Sequence, residues 1–296
     1  MHFEIWGMTG TVATEREDQR EFAEARLWHW LDEIDRSCNR FRPDSELTLL
    51  NARGDGDLSP TLEVALGAAI ESYDATGGLC DPTVLPALLA LGYNVDFADL
   101  ARRANTISAA PAPSPGAGAI TLDLSSHRVS LAEGCQLDFG ASAKALAADL
   151  VANDVAPTGG ILVEIGGDVA VRGRGPTGPW AVGVSDVLEI TGREPRVNVT
   201  HGGVATSSTA TREWVADGHR MNHIVDPRTG TCVDGPYVTA TVSAVSCVRA
   251  NAFATAALLW GEDAGYHLAQ GGCAGRLVRA DGEIEYVGGW PEDSAA

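Results

Sequence analysis

Residues 202–230 read GGVATSSTATREWVADGHRMNHIVDPRTG, and the rest of the chain is organised around them. Gly202-Gly203 is expected to turn the chain into Val204-Ala205-Thr206-Ser207-Ser208, which sets three hydroxyls in a row. A strand then leads to His223-Ile224-Val225-Asp226-Pro227 and is closed by Gly230. Alternate side chains of an extended chain share a face, but His223 and Asp226 are three apart. Pro227 must therefore begin a turn that re-aims Asp226. The pattern predicts a base and a carboxylate at a strand end, a place that suits chemistry better than packing.

At 296 residues the chain can bury a large core, as a single domain over 1–296 or as two lobes. Its 45% hydrophobic and 21% charged residues read as globular. The formal net charge of −19 speaks against nucleic acid and anionic membrane as partners, because both would be repelled. The six cysteines, at 38, 80, 135, 232, 247 and 273, form no CxxC pair and no zinc spacing. They read as small buried hydrophobes in a reducing compartment. The start of the sequence has no basic n-region, long apolar run or lipidated Cys, so no signal peptide is expected. No stretch is apolar enough to insert in a bilayer. The expected location is the cytoplasm.

Outward from the central stretch, residues 3–12 form a strand broken at Gly7-Met8-Thr9-Gly10-Thr11, either a plain turn or a place where backbone can approach a ligand. Residues 15–38 make an amphipathic helix with Phe22, Leu27, Trp30, Leu31, Ile34 and Cys38 on one stripe. Pro43 ends that pattern, and Ser45 can cap a short helix that ends near Asn51. Ser59-Pro60 caps the next helix, through Asp74, which Gly77-Gly78 ends. Asp81 before Pro82 is either a turn residue or a binding residue. Residues 94–118, rich in Ala, Pro and Ser, look like a surface insertion. Residues 120–124 and 128–131 alternate as a hairpin.

The run Leu137-Asp138-Phe139-Gly140-Ala141-Ser142-Ala143-Lys144 then opens a helix through Val151. Such a junction leaves free backbone N–H groups for a phosphate, and Lys144 adds positive charge. Residues 162–169 are a strand interrupted by Gly166-Gly167 and followed by Asp168. Residues 173–178 match GxGxxG literally, but Pro176 and Pro179 deny the motif a following helix, so a hairpin loop is expected instead of a dinucleotide site. Residues 237–246 form a strand. The helix over 248–259 places Asn251 and Thr255 one turn apart on one face. A final hairpin over 275–287 turns at Asp281-Gly282. From Pro291 on the tail is expected to fray. Strands and helices intermingle without regular βαβ units, which predicts an α+β fold built on antiparallel sheet.

Several of these segments resemble the signatures of the ApbE family of FAD:protein FMN transferases. Ala205-Thr206-Ser207-Ser208 is similar to the family's ATSG, and HIVDPRTG to HxxDPxTG. Met8-Thr9-Gly10-Thr11 resembles MGT, and residues 41–51 resemble F-x-x-x-SEL-x-x-LN. Residues 80–86 resemble FDPTV-x-PL, residues 137–145 DLGGIAKG with Ala141 and Ala145 where Gly is usual, and Gly166-Gly167-Asp168 the GGD motif. Residues 250–255 resemble AD-x-x-x-T with Asn251 in place of the Asp.

The resemblance implies a T-fold-like α+β architecture of antiparallel sheets packed with helices. It further implies magnesium-dependent transfer of FMN from FAD to a Thr or Ser hydroxyl of an acceptor flavoprotein, with AMP released. FAD is then expected at Met8, Thr11, Asn51, Asp81, Lys144, Gly166, Gly167, Thr206 and Ser207. Mg2+ is expected at Ala143, Asp168, Asn251 and Thr255, with His223 or Asp226 orienting or deprotonating the acceptor hydroxyl. Two alternatives stay open: an FAD pyrophosphatase giving FMN and AMP, and a catalytically weak FAD-binding protein, since Asn251 removes one charge from the metal shell.

Overall fold

The computed structural model describes residues 1–100, 102, 104–185 and 194–293. Positions 101 and 103 of the 94–118 segment, and 294–296 of the tail expected to fray, lie outside the described residues. The chain divides into two compact units. One comprises Met1–Leu31, Lys144–Thr211 and Gly235–Ala296, the other Asp32–Ala143 and Arg212–Asp234.

The first unit is built on an eight-stranded sheet. Its spatial order is His2–Ile5, Met8–Thr14, Ile161–Ile165, Asp168–Arg172, His201–Ser208, Tyr237–Ala244, Ala274–Arg279 and Ile284–Val287. Every neighbouring pair is antiparallel. Two-residue turns close its tightest hairpins. Trp6 (φ 51°) and Gly7 (φ 72°) join the first two strands, with Ile5 opposite Met8. Gly166 (φ 59°) and Gly167 (φ 92°) join the third and fourth, with Ile165 opposite Asp168. Positive φ at both turn positions matches the twist of paired strands. The break expected over residues 7–11 is therefore a turn one residue earlier, and Met8 to Thr14 is continuous strand. Likewise 162–169 belongs to two strands, not one.

A second difference concerns Gly202 and Gly203. They do not turn the chain; they lie inside the His201–Ser208 strand. A Cβ on Gly203 would stand 2.4 Å from the Cα of Cys247, so the glycine lets the start of the Cys247–Trp260 helix cross the strand in near-contact. That helix is buried on almost all sides, with Ala250, Ala252, Ala254, Ala256 and Ala257 at 0–1% exposure. Small side chains on every face are what a helix crossed this closely by a sheet requires. The opposite face of the sheet is covered by the hairpin Trp180–Gly183 with Arg196–Val199, through a cluster of Val169, Val171, Val182, Val197, Val199, Val204 and Trp290. The GxGxxG run leads into this hairpin, and Gly175 N–H donates to Gly178 O at 2.7 Å.

The helix Arg20–Cys38 runs from the first unit into the second. Its buried apolar residues are Ala23, Leu27, Leu31, Ile34 and Cys38, spaced by three or four as a helical stripe requires. Phe22, expected on that stripe, is 45% exposed. One residue before Ala23 is about 100° round the helix, and the small Ala23 takes the core position instead. Trp30 sits at the stripe's edge and donates its indole N–H to Asp154 Oδ2 at 2.7 Å.

In the second unit the expected caps are in place. Ser45 accepts from Thr48 N–H and starts Glu46–Arg53, and Ser59 accepts from Leu62 N–H and starts Pro60–Ala75. Asp55–Asp57, Arg128–Leu131 and Ile120–Asp123 make a three-stranded sheet, in that order. Two short hairpins, Glu213–Ala216 with His219–Asn222 and Val225–Asp226 with Thr231–Cys232, form the second half of the central stretch and run just past its end. Their residues Trp214 and Val225 join Leu88, Leu91, Tyr93 and Leu100 in one core. Leu100, at 0% exposure, comes from the 94–118 segment, so that segment supplies core as well as surface. Among the described residues no helix is long and apolar enough to cross a membrane.

Candidate functional site

Strand alternation sorts the candidate residues of the first unit onto two faces. Asp168 pairs with Ala205 across the sheet, and Ala205, Ser207 and Gly203 therefore point the same way, toward the Cys247–Trp260 helix that Gly203 touches. On this face three polar side chains converge. Lys144 Nζ donates to Asp168 Oδ2 at 2.6 Å, and Asn251 Nδ2 donates to Asp168 Oδ1 at 2.8 Å. Asp168 is 1% exposed and Asn251 5%. Asn251 Oδ1 is buried and accepts no hydrogen bond. One helical turn on, Thr255 Oγ1 pairs with Ser207 Oγ at 3.0 Å. Met8 lies at the same end of the sheet, its sulfur 2.5 Å from where a Cβ on Gly166 would be.

Thr206 and Thr11 belong to the other face. Thr206 pairs with Thr241 Oγ1 at 2.9 Å. Thr11 lies opposite Glu164, and its hydroxyl meets His2 Nδ1 at 3.0 Å. Burial pushes the Glu164 carboxyl above its ordinary range, against hydrogen bonds from Gly167 N–H and Thr11. The consecutive residues Thr206 and Ser207 thus serve different surfaces. The Gly166 and Gly167 N–H groups are already used, by Thr9 O at 3.0 Å and Glu164 Oε1 at 2.9 Å.

The second unit places its candidates differently. Asn51 uses both ends of its amide on one neighbour: Nδ2 donates to Leu137 O at 2.8 Å, and Oδ1 accepts from Leu137 N–H at 2.7 Å. Just beyond, Gly140 N–H donates to Asp138 Oδ1 at 2.6 Å, and the N–H groups of Ser142 and Ala143 donate to Phe139 O. Three of the backbone donors expected to be free for a phosphate are therefore spent within the turn. Ala143, the first residue of the Ala143–Val155 helix, has no side-chain donor and could offer a metal only its carbonyl. Asp138 also forms an ion pair with Arg40, whose guanidinium lies over the Phe41 and Tyr93 rings at 4.0 and 4.6 Å.

Asp81 Oδ1 accepts from Thr83 N–H and Oγ1, both at 2.7 Å, and Thr83 Oγ1 accepts from Gly116 N–H at 2.8 Å. Burial raises the Asp81 carboxyl, against those Thr83 bonds. The Thr83 bonds to Oδ1 are those of a turn residue. Pro227 does begin a turn, closed by Gly230 N–H to Asp226 O at 2.8 Å. Burial alone would raise the Asp226 carboxyl, but hydrogen bonds and charge from Arg228 outweigh it and hold it below its usual range. A carboxylate so held is a poor proton acceptor.

Two residues that the sequence reading did not single out hold the Asn251 helix in place. Asp149, 6% exposed, accepts from the backbone N–H groups of Cys247 at 3.1 Å and Val248 at 3.0 Å, and from Arg172 at 3.1 Å. A carboxylate there meets the positive end of the helix dipole. Its signal was a single acid in the otherwise apolar run Ala145 to Val151. A second signal was also legible: Lys144 is the chain's one lysine, since 20 of the 21 basic residues are arginine and 21 − 20 = 1.

All six cysteines are free. Burial pushes the Cys38 and Cys80 thiols up to about 12, which leaves them inert as nucleophiles. Among the described residues no group of three or more His, Cys, Asp or Glu side chains is placed to hold a metal ion. The oxygen donors Asp168, Asn251 Oδ1 and Thr255 Oγ1 nevertheless fit the hard-donor preference of Mg2+. The unsatisfied Asn251 oxygen is the atom that marks the fit.

The chain is similar in sequence and fold to several known proteins. The chain is 26% identical over 249 residues to the FAD:protein FMN transferase of Vibrio cholerae serotype O1, covering 81% of this chain and 74% of that one. It is 29% identical over 253 residues to the FAD:protein FMN transferase of Chlamydia trachomatis, covering 81% and 76%. In fold it is similar to the solved ApbE protein of Thermotoga maritima (TM-score 0.81, 24% identity, 97% of this chain and 96% of that one). It is also similar to apo flavinyl transferase ApbE of Pseudomonas stutzeri (TM-score 0.77, 24% identity, 97% and 92%). The family model described as ApbE family matches residues 6–290. With an α+β fold and a family match over nearly its whole length, this chain belongs to the ApbE family.

Proposed function

We propose that this protein transfers FMN from FAD to a Thr or Ser hydroxyl of an acceptor protein, with magnesium, releasing AMP. The observation that supports this best is the cluster of Lys144 with the buried Asp168 and Asn251 in a chain of the ApbE family. The relatives named FAD:protein FMN transferase point the same way. In the reaction a P–O bond forms between the acceptor oxygen and the FMN phosphorus. The phosphoanhydride bond breaks and AMP departs with its electrons. His223 takes the proton of the attacking hydroxyl. Lys144 supplies fixed positive charge for the phosphate oxygens, a need that an acidic protein has to meet locally. Asp168, Asn251 Oδ1 and Thr255 Oγ1 would hold the magnesium ion, which would neutralise charge on the transferring phosphoryl group.

Asn251 favours one other reading, an FAD-binding protein with weak turnover, because a neutral amide attracts a cation less than a carboxylate does. The test is incubation with FAD, magnesium and a lysate of the source cell. Covalently fluorescent protein bands with AMP release support transfer; AMP with no labelled band indicates a pyrophosphatase, and bound FAD with neither product indicates a binder.

A further inference from the structure

Both oxygens of Asp168 already have a partner. Oδ2 is occupied by the Lys144 ammonium at 2.6 Å and Oδ1 by the Asn251 amide at 2.8 Å, in a place where Asp168 is 1% exposed. An aspartate at 251 could not donate to Asp168 and would repel it. The amide removes that repulsion, and the ammonium cancels the one remaining charge. The protein thus holds a neutral, closed centre in which the sole lysine of the chain stands on its carboxylate. One atom is out of keeping with closure: Asn251 Oδ1, buried and unpartnered, is an acceptor with nothing to accept from. A buried polar atom left unsatisfied costs free energy, so it marks a place where a ligand belongs.

We propose that Lys144 is the resident cation of this centre. It competes with a divalent ion for Asp168, and an ion that enters to use Asp168 and Asn251 Oδ1 displaces the ammonium, which is then released to meet phosphate. Magnesium gives up its water reluctantly and binds chiefly through carboxylates and substrate phosphates. Against a 2.6 Å ammonium–carboxylate pair it enters poorly alone. Lys144 thereby couples metal entry to the arrival of a polyphosphate, which takes over the ammonium. The inference rests on the magnesium requirement of the proposed function, but its test needs no FAD.

Because Lys144 is the one side-chain amine, acetylation by a small amine-reactive ester, followed by mass spectrometry of the full-length protein, reads its release directly. The N-terminal amine serves as internal reference. At concentrations high enough to enter without a polyphosphate, magnesium is expected to speed Lys144 labelling several-fold, since an ammonium freed from a buried carboxylate becomes accessible. In calorimetry without nucleotide, Lys144→Met is expected to bind magnesium at least about tenfold more tightly than the natural protein, because the competing charge is gone. Lys144→Arg, whose fork holds a carboxylate more firmly, is expected to bind it more weakly.

Labelling unchanged at every magnesium concentration, or equal affinities in Lys144→Met and the natural protein, overturns the proposal. If Lys144→Met does not fold, the labelling of the natural protein decides. FMN transfer with no effect of magnesium on Lys144 would sink this inference and leave the function standing. Release of Lys144 by magnesium with no flavin transfer would do the reverse.

Discussion

Asp149 reaches the backbone N–H of Cys247, 98 residues further along the chain, at 3.1 Å. With the adjacent Val248 N–H and the Arg172 guanidinium, that contact fixes where the helix bearing Asn251 and Thr255 begins. Asp149→Ala strands two backbone donors and takes the carboxylate from the half-buried Arg172, which keeps Asn153, Val171 O and Gly202 O as acceptors; breaking a buried pair costs about 3–5 kcal/mol. Urea denaturation of the variant is expected to show a loss of that size, with Asp149→Asn losing less. A loss below about 1 kcal/mol would mean that water replaces the carboxylate there.

Asn251→Asp restores a second carboxylate beside Asp168. The expected outcome is a lower magnesium concentration for half-maximal AMP release, with the thermal midpoint lowered in the absence of metal and recovered when it is added. An unchanged midpoint for magnesium would show that the residue at 251 does not meet the ion.

FAD is expected to bind more tightly than FMN, and more so with magnesium present. The preference rests on Lys144 and the metal centre, because the backbone donors of Gly140, Ser142 and Ala143 are already engaged. Calorimetry with each nucleotide, with and without magnesium, checks this; equal affinities would remove the pyrophosphate from the recognition.

His223→Ala is expected to lower FMN transfer by roughly 10²–10⁴-fold while FAD binding persists, as for loss of a general base. Single-turnover assays beside a binding titration separate the two effects. Near-normal turnover would return His223 to a purely structural place between the His219–Asn222 and Val225–Asp226 strands.

The Asp226–Arg228 pair makes stability depend on pH in the acid range. Since the folded carboxyl is held below its ordinary value, the stabilisation is present above the unfolded value of about 4 and fades as pH falls through the lower folded one. Asp226→Asn is therefore expected to be less stable than the natural protein at neutral pH, with the gap closing below about pH 4. Melting curves across that range test the sign; a gap that widens in acid would contradict it.

Local features were legible in the sequence for local reasons. Ser45 and Ser59 cap helices through bonds spanning three residues, and the prolines after Gly175 exclude a nucleotide-binding helix without reference to anything distant. The Asn251–Thr255 spacing likewise needs only one helix. Local turns account for some misreadings, at Trp6-Gly7, at Gly166-Gly167 and between Asp138 and Ala143; the others involve partners remote in sequence. Gly202-Gly203 has the composition of a turn, and only the crossing of Cys247 explains why strand glycines are needed there. Phe22 is apolar, but the sheet and its neighbours, not its own hydropathy, decide that Ala23 points inward. Nothing near Asp149 in the chain announces Arg172 or the Cys247 helix. Thr206 and Ser207 look like one hydroxyl cluster until strand pairing assigns each its face.

The His201–Ser208 strand is consequently intolerant of insertions and deletions of either parity. Removing one residue before Gly203 would turn Ser207 away from Thr255 and present Val204 to the helix that needs a glycine. Removing two would restore the faces but move the glycine about 7 Å from the crossing point. Homologous chains are therefore expected to vary in length on either side of this strand and to keep a fixed count of residues from Gly203 to Ser207.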